Sequence, residues 1–168
     1  DTSFLLSPER LEQYRRMMPR SQFTTEYLGE FLDSDSILFT NIRECQGPAP
    51  SSFSRLYVGI DWGSGTGGDY TSVCAFADTR QMVFIDYFND KSTFDQVRYI
   101  CDRLAPYAAK IAKIQAESNS IGTPMIALLR DEFLKRSQRA LFNAVEPFVT
   151  TNAEKVRLVN QLQVALEQ

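Results

Sequence analysis

Between residues 56 and 149 the apolar residues fall into short runs of strand length, and the spacers between those runs change character partway along. The first three runs, at 56–60, 72–77 and 81–88, are separated only by turn formers. The first gap carries Gly63-Ser64-Gly65-Thr66-Gly67-Gly68, and the second, Asp78-Thr79-Arg80, is a hairpin turn. After Phe88 the gaps lengthen into amphipathic segments. Ser92 or Thr93 is placed to cap a helix to about Tyr107, with Val97, Ile100, Cys101 and Leu104 facing inward. A strand at 111–116 ends in Glu117, and Pro124 opens a helix through about Phe133. A fifth strand covers 145–149. Thr151 or Asn152 then caps a last helix with Val156, Val159, Leu162 and Leu166 on one stripe. Tight turns join antiparallel strands, whereas helical crossovers join parallel ones. The order β-β-β-α-β-α-β-α therefore predicts an α/β fold with a mixed sheet.

Upstream, residues 7–18 read as a helix. Ser7 suits the N-cap, Pro8 the first helical position, and Glu9 the positive end of the helix dipole. Leu11, Tyr14, Met17 and Met18 share an apolar face, and Pro19 stops the helix. A further apolar run occupies 37–39. Gln46-Gly47-Pro48-Ala49-Pro50-Ser51-Ser52-Phe53-Ser54 is the clearest linker. It separates a region at 1–46 from a domain at 55–168, joined through 47–54.

Composition narrows the chemistry. The 168 residues include no histidine, which excludes histidine general bases, histidine-based triads and histidine-ligated zinc. A bound metal must be held by oxygen ligands, which suit hard cations such as Mg²⁺ or Mn²⁺. Cys45, Cys74 and Cys101 are widely spaced and odd in number, the pattern of free thiols in a reducing compartment. The net charge of −3 removes a whole-chain basic footprint, so nucleic-acid binding requires a local patch. No apolar run approaches the roughly 18–20 residues that span a bilayer. Asp1-Thr2-Ser3-Phe4 has no basic n-region, cleavage site or initiating Met, so the chain is expected to be an excised or processed piece.

Asp61 and Glu117 both stand where a strand ends and a loop begins, the position at which sites form in open α/β sheets. If the first and fourth strands are parallel neighbours, the two carboxylates share one pocket. Two like charges that close are costly unless a cation neutralises them. Two such ions about 3.5–4 Å apart activate a water and stabilise the leaving oxygen of a phosphodiester. Asp69, at the start of the second strand, is placed to reach back as a further ligand. The plainer alternative is that Asp61 and Asp69 are turn formers. The Gly-rich turn lacks the Lys and the spacing of a P-loop. It serves either close backbone approach to phosphate or flexibility alone. Trp62 is expected to be a packing residue. Arg130, Lys135, Arg136 and Arg139 form a basic cluster, and Lys155 and Arg157 begin the last helix. They are candidates for contact with a DNA backbone, or else a solvated face.

Tyr57-Val58-Gly59-Ile60-Asp61-Trp62-Gly63, followed by Gly67-Gly68-Asp69-Tyr70-Thr71-Ser72, resembles the first catalytic segment of the nuclease domain of phage terminase large subunits. Gln115-Ala116-Glu117-Ser118-Asn119-Ser120-Ile121-Gly122 resembles the second, an acid followed by Asn and then Gly. Val149-Thr150-Thr151-Asn152-Ala153-Glu154-Lys155 is similar to the lead into the next helix. Glu26-Tyr27-Leu28-Gly29-Glu30-Phe31 is similar to the end of the packaging ATPase domain. The resemblance covers most of the chain, in order. It implies a ribonuclease-H-like fold, incomplete at the C-terminus, belonging to a viral DNA-packaging motor in the host cell cytoplasm. Such a motor drives DNA into a capsid and cuts concatemeric double-stranded DNA by two-metal-ion hydrolysis. By motif match, Asp61 and Glu117 are catalytic metal ligands for Mg²⁺ or Mn²⁺, and Asp69 is an accessory one. Lys135, Arg136, Arg139, Lys155 and Arg157 are the candidate DNA contacts. The implied partners are double-stranded DNA, the portal protein and the small terminase subunit. ATP would bind only in a preceding domain, and a further catalytic acid is expected beyond Gln168.

Two rival readings share the pattern. An actin-like or sugar-kinase-type ATPase lobe accounts for Gly59-Ile60-Asp61 and the following turn, but not for the segment around Glu117. A ribonuclease-H-like docking scaffold without catalysis predicts no divalent-ion binding.

Overall fold

The computed structural model describes residues 7–28, 39 and 41–167. Gly29, Glu30 and Phe31, and Ile37 and Leu38 of the apolar run, lie outside them. The helices are α1 (Pro8–Met17), α2 (Arg20–Phe23), α3 (Thr93–Leu104), α4 (Gly122–Lys135), α5 (Arg139–Ala144) and α6 (Asn152–Glu167). The strands are β1 (Leu56–Asp61), β2 (Thr71–Ala77), β3 (Met82–Phe88), β4 (Ile111–Glu117) and β5 (Val145–Phe148). The chain divides into two compact units, one drawn from Asp1–Gly47 and Thr151–Gln168, the other Pro48–Thr150. The last helix, placed with the strands on sequence, clusters with the N-terminal helices.

In the unit of the strands the sheet order is β3-β2-β1-β4-β5. β1–β2 and β2–β3 are antiparallel, while β1–β4 and β4–β5 are parallel. The unit is thus an α/β domain built on a five-stranded mixed sheet. One face buries Leu56, Val58, Ile60, Val73, Ala75, Ile114 and Ala116. These form one core with Val97, Ile100, Cys101 and Leu104 of α3 and with Met125, Ile126, Leu129 and Phe133 of α4. Trp62 joins the same core. The opposite face shows Tyr57, Phe76, Ile85 and Tyr87, all exposed.

Local chemistry explains the helix ends. Ser92 caps α3, its Oγ accepting the Asp95 N–H at 3.3 Å. Pro106 ends the α-helical hydrogen bonding, and residues Ala105–Tyr107 form a 3₁₀ turn. α4 begins at Gly122, two residues before Pro124. Two ionic ties fasten α3. Arg103 Nε donates to Asp86 Oδ2 of β3 at 2.6 Å, and Arg136 at the end of α4 bridges Asp102 and Glu132. The short α5 was not expected.

In the other unit, Ser7 Oγ accepts the Arg10 N–H at 3.4 Å and Pro8 opens α1. α2 runs on into a π-helical turn, Thr24–Leu28, where the Tyr14 and Phe23 rings each stack on Tyr27 at 5.3 Å. Thr151 caps α6 by accepting the Glu154 N–H at 3.1 Å. The expected apolar stripe of α6 does not enter a core. No described residue of α6 is buried, and Val156 and Leu162 are 60% and 48% exposed. Met17, expected on the apolar face of α1, is likewise 68% exposed. No helix is long and apolar enough to cross a membrane, among the described residues.

Candidate functional site

Asp61 is the last residue of β1 and Glu117 the last of β4. The parallel register sets Gly59 beside Gln115 and Ile60 beside Ala116, so the two acids follow one step later at the same level. Side chains alternate across a strand. Ile60 and Ala116 are buried under the helices, so Asp61 and Glu117 both rise from the opposite face. Neighbouring strands are about 4.8 Å apart, which brings both carboxylates within reach of one cation. Asp61 is exposed and Glu117 half-buried. Ser72 flanks Asp61 across β2, and Phe148 flanks Glu117 across β5.

The loop after Asp61 is anchored from below. The Gly63 N–H donates to Thr71 Oγ1 at 2.8 Å, and Thr71 Oγ1 donates in turn to Gln96 Oε1 at 2.7 Å. Gln96 Nε2 reaches the Lys91 carbonyl at 3.2 Å. Thr71 and Gln96 are both fully buried, so the bonds from Gly63 to Thr71 and from Thr71 to Gln96 are shielded from water. A Cβ on Gly63 would lie 2.0 Å from the Asp69 carbonyl oxygen, so the chain folds back here only because residue 63 is glycine. Gly65 and Gly67 take φ of +105° and +76°, which glycine adopts without strain. The Gly67 N–H ties the loop to the Asn89 carbonyl at 2.9 Å.

Asp69 is exposed at the far end of this loop. Among the described residues no three His, Cys, Asp or Glu side chains form a group able to hold a metal. Asp69 therefore does not complete a three-acid cluster with Asp61 and Glu117. The two that share a level still fit a hard divalent cation by their chemistry, because both offer anionic oxygen. Mg²⁺ is commonly held by one or two carboxylates and completes its shell with water and phosphate oxygens.

On the other side of the site a tight turn follows Glu117. The Gly122 N–H donates to the Asn119 carbonyl at 2.7 Å, and Ser120 takes φ of +49° within the turn. A Cβ on Gly122 would stand 2.1 Å from the Glu117 carbonyl oxygen and 3.6 Å from Trp62 Cδ1. The start of α4 is thereby pressed against the end of β4 and the core residue beside Asp61.

The basic residues divide into two kinds. Lys135 pairs with Asp131 at 2.6 Å, Arg136 with Asp102 and Glu132, and Arg157 with Glu154 at 2.6 Å. The side chains of Arg139 and Lys155 make no hydrogen bond or ion pair with the described residues. Arg130 donates to the Val145 carbonyl at 2.6 Å and serves the fold. Lys135, Arg136 and Arg139 belong to the strand-bearing unit, Lys155 and Arg157 to the other.

Sequence reasoning singled out the acids but not Thr71 or Gln96. A Thr at a strand start and a Gln in a helix carry no signal until the fold buries them together. Comparison with protein-family models, curated proteins and solved structures finds no match.

Proposed function

We propose that the strand-bearing unit is a ribonuclease-H-like, divalent-metal-dependent nuclease core, and that the chain is part of a phage terminase large subunit that cuts concatemeric double-stranded DNA. The single observation that carries this reading is the placement of Asp61 and Glu117, at one level, on one face, at the carboxyl ends of adjacent parallel strands. Two carboxylates so placed repel one another, and a cation between them would relieve that repulsion. Bound Mg²⁺ or Mn²⁺ would polarise a phosphodiester oxygen and supply an activated water. The role of the protein is positional. Asp61 and Glu117 would hold the cation from two adjacent strands, the buried Thr71–Gln96 pair fixes the loop beyond Asp61, and the Gly122 turn packs against the backbone of Glu117. Of the five candidate DNA contacts, Arg139 and Lys155 have no ion pair with the described residues, so each offers its charge to a DNA backbone. On this reading the portal protein and small terminase subunit are the partners, and the host cell cytoplasm is the setting.

The docking-scaffold reading draws on a different observation, the exposed Tyr57, Phe76, Ile85 and Tyr87 on the open sheet face. One experiment separates the two. Thermal unfolding is followed with and without Mn²⁺ for the parent chain and for an Asp61→Ala/Glu117→Ala variant. A ligand that binds only the folded state raises the midpoint by mass action. The expected result is a rise in the parent that disappears in the variant. Absence of a rise in the parent overturns the nuclease reading and leaves the scaffold.

A further inference from the structure

We infer that Asn119 is the positioning residue for the Glu117 carboxylate, holding it in the orientation in which it meets the metal. This rests on the reading of Glu117 as a metal ligand. The Asn119 side-chain amide is placed between two acceptors. Nδ2 donates to the Thr150 carbonyl at 2.6 Å and reaches Glu117 Oε1 at 3.4 Å. Both partners are oxygens that only accept, so the amide, not the carbonyl end of the side chain, must face them. Its two N–H bonds match the two acceptors, one short and firm, the other longer and aimed at the carboxylate.

The surroundings show why the amide is held still. Ser118 clamps the turn to the end of β5, its N–H and its Oγ both reaching the Phe148 carbonyl, at 2.8 and 3.1 Å. Thr123 Oγ1 donates back to the Ser118 carbonyl at 3.0 Å, and the Gly122 N–H closes on the Asn119 carbonyl. Asn119 is thus fixed on both sides before it touches Glu117. This contact with Oε1 restricts a side chain with three torsions and would leave Oε2 available to a cation. Removing a group that orients a metal ligand typically costs roughly 10–100-fold in metal affinity or activity.

The test has a metal-dependent arm and a metal-free arm. In the first, the Mn²⁺ concentration that gives half of the thermal shift is measured for the parent, Asn119→Ala and Ser118→Ala. Asn119→Ala is expected to raise that concentration roughly tenfold. Ser118→Ala, which loosens the same turn but keeps the amide beside the carboxylate, is expected to lower the unfolding midpoint and to raise the Mn²⁺ requirement by much less than Asn119→Ala does. If the two variants shift the requirement alike, or neither does, Asn119 is a structural residue only and the inference falls while the nuclease reading stands. In the second arm, the side-chain amide protons of Asn119 are followed by NMR without metal, in the parent and in Glu117→Ala. The inference expects one proton to move and the proton on Thr150 to stay. Two unmoved protons overturn it even if the parent proves not to bind Mn²⁺, and that last result alone overturns the nuclease reading.

Discussion

Thr71 Oγ1 stands between the Gly63 N–H, from which it accepts at 2.8 Å, and Gln96 Oε1, to which it donates at 2.7 Å, and all of this lies out of reach of solvent. Replacing Thr71 by Val keeps the shape but leaves a buried donor and a buried acceptor unpaired. Thr71→Val is expected to lose about 2–3 kcal/mol in denaturant unfolding. Thr71→Ser, which keeps the hydroxyl and removes a methyl, is expected to lose about 1 kcal/mol.

The glycines separate by what surrounds them. A methyl on Gly63 or Gly122 would press within 2.0 or 2.1 Å of a backbone carbonyl oxygen, whereas one on Gly47 would meet nothing within 4 Å. Gly63→Ala and Gly122→Ala are each expected to destabilise by about 2–3 kcal/mol. Gly47→Ala is expected to be neutral or to stabilise by up to about 1 kcal/mol, through the unfolded chain. Chemical denaturation of the three variants checks the order.

The cysteines differ in reactivity for a physical reason. Burial pushes the Cys101 thiol up from an ordinary 9.0 to about 12, and burial also raises Cys74, whereas Cys45 is exposed. At pH 8.5 iodoacetamide is expected to label Cys45 in the folded protein and to reach Cys101 only on unfolding, as peptide mass mapping would show. The same shift sets a pH dependence. The unfolded thiol ionises before the folded one, so this contribution to stability is intact below pH 9.0 and is lost as pH rises toward about 12. Cys101→Ala should flatten that alkaline limb.

Arg136 and Arg139 lie close in sequence but are expected to answer different assays. Arg136 ties Asp102 of α3 to Glu132 of α4, so Arg136→Ala should lower stability by about 1 kcal/mol and leave DNA affinity little changed. Arg139→Glu and Lys155→Glu should leave stability alone and weaken DNA binding across sequences. Removing one cationic partner of a phosphate reduces the slope of log affinity against log salt by about 1. Affinity measured over a salt series distinguishes the cases.

The sequence by itself determined what depends on near neighbours along the chain. The apolar run from Leu56 to Ile60 marks β1, and Asp78-Thr79-Arg80 marks the hairpin between β2 and β3, with Arg80 at φ +66°. Ser7 and Ser92 mark two helix starts, because a cap contacts residues only three positions away. The acids of the site were legible as strand-end residues. Their meeting was not, since it depends on β4 inserting beside β1 in parallel register, a pairing between positions more than fifty residues apart. The Thr71–Gln96 bond joins β2 to α3 and leaves no trace in local pattern. α5 spans 6 residues, too few for a 3.6-residue period to stand out. The exposure of Val156 and Leu162 on α6 shows the reverse, a clear period whose apolar side found no core. Periodicity reports which face of a segment is apolar. Only the tertiary structure decides which surfaces meet, because burial is a property of two segments together and a sequence states each of them alone.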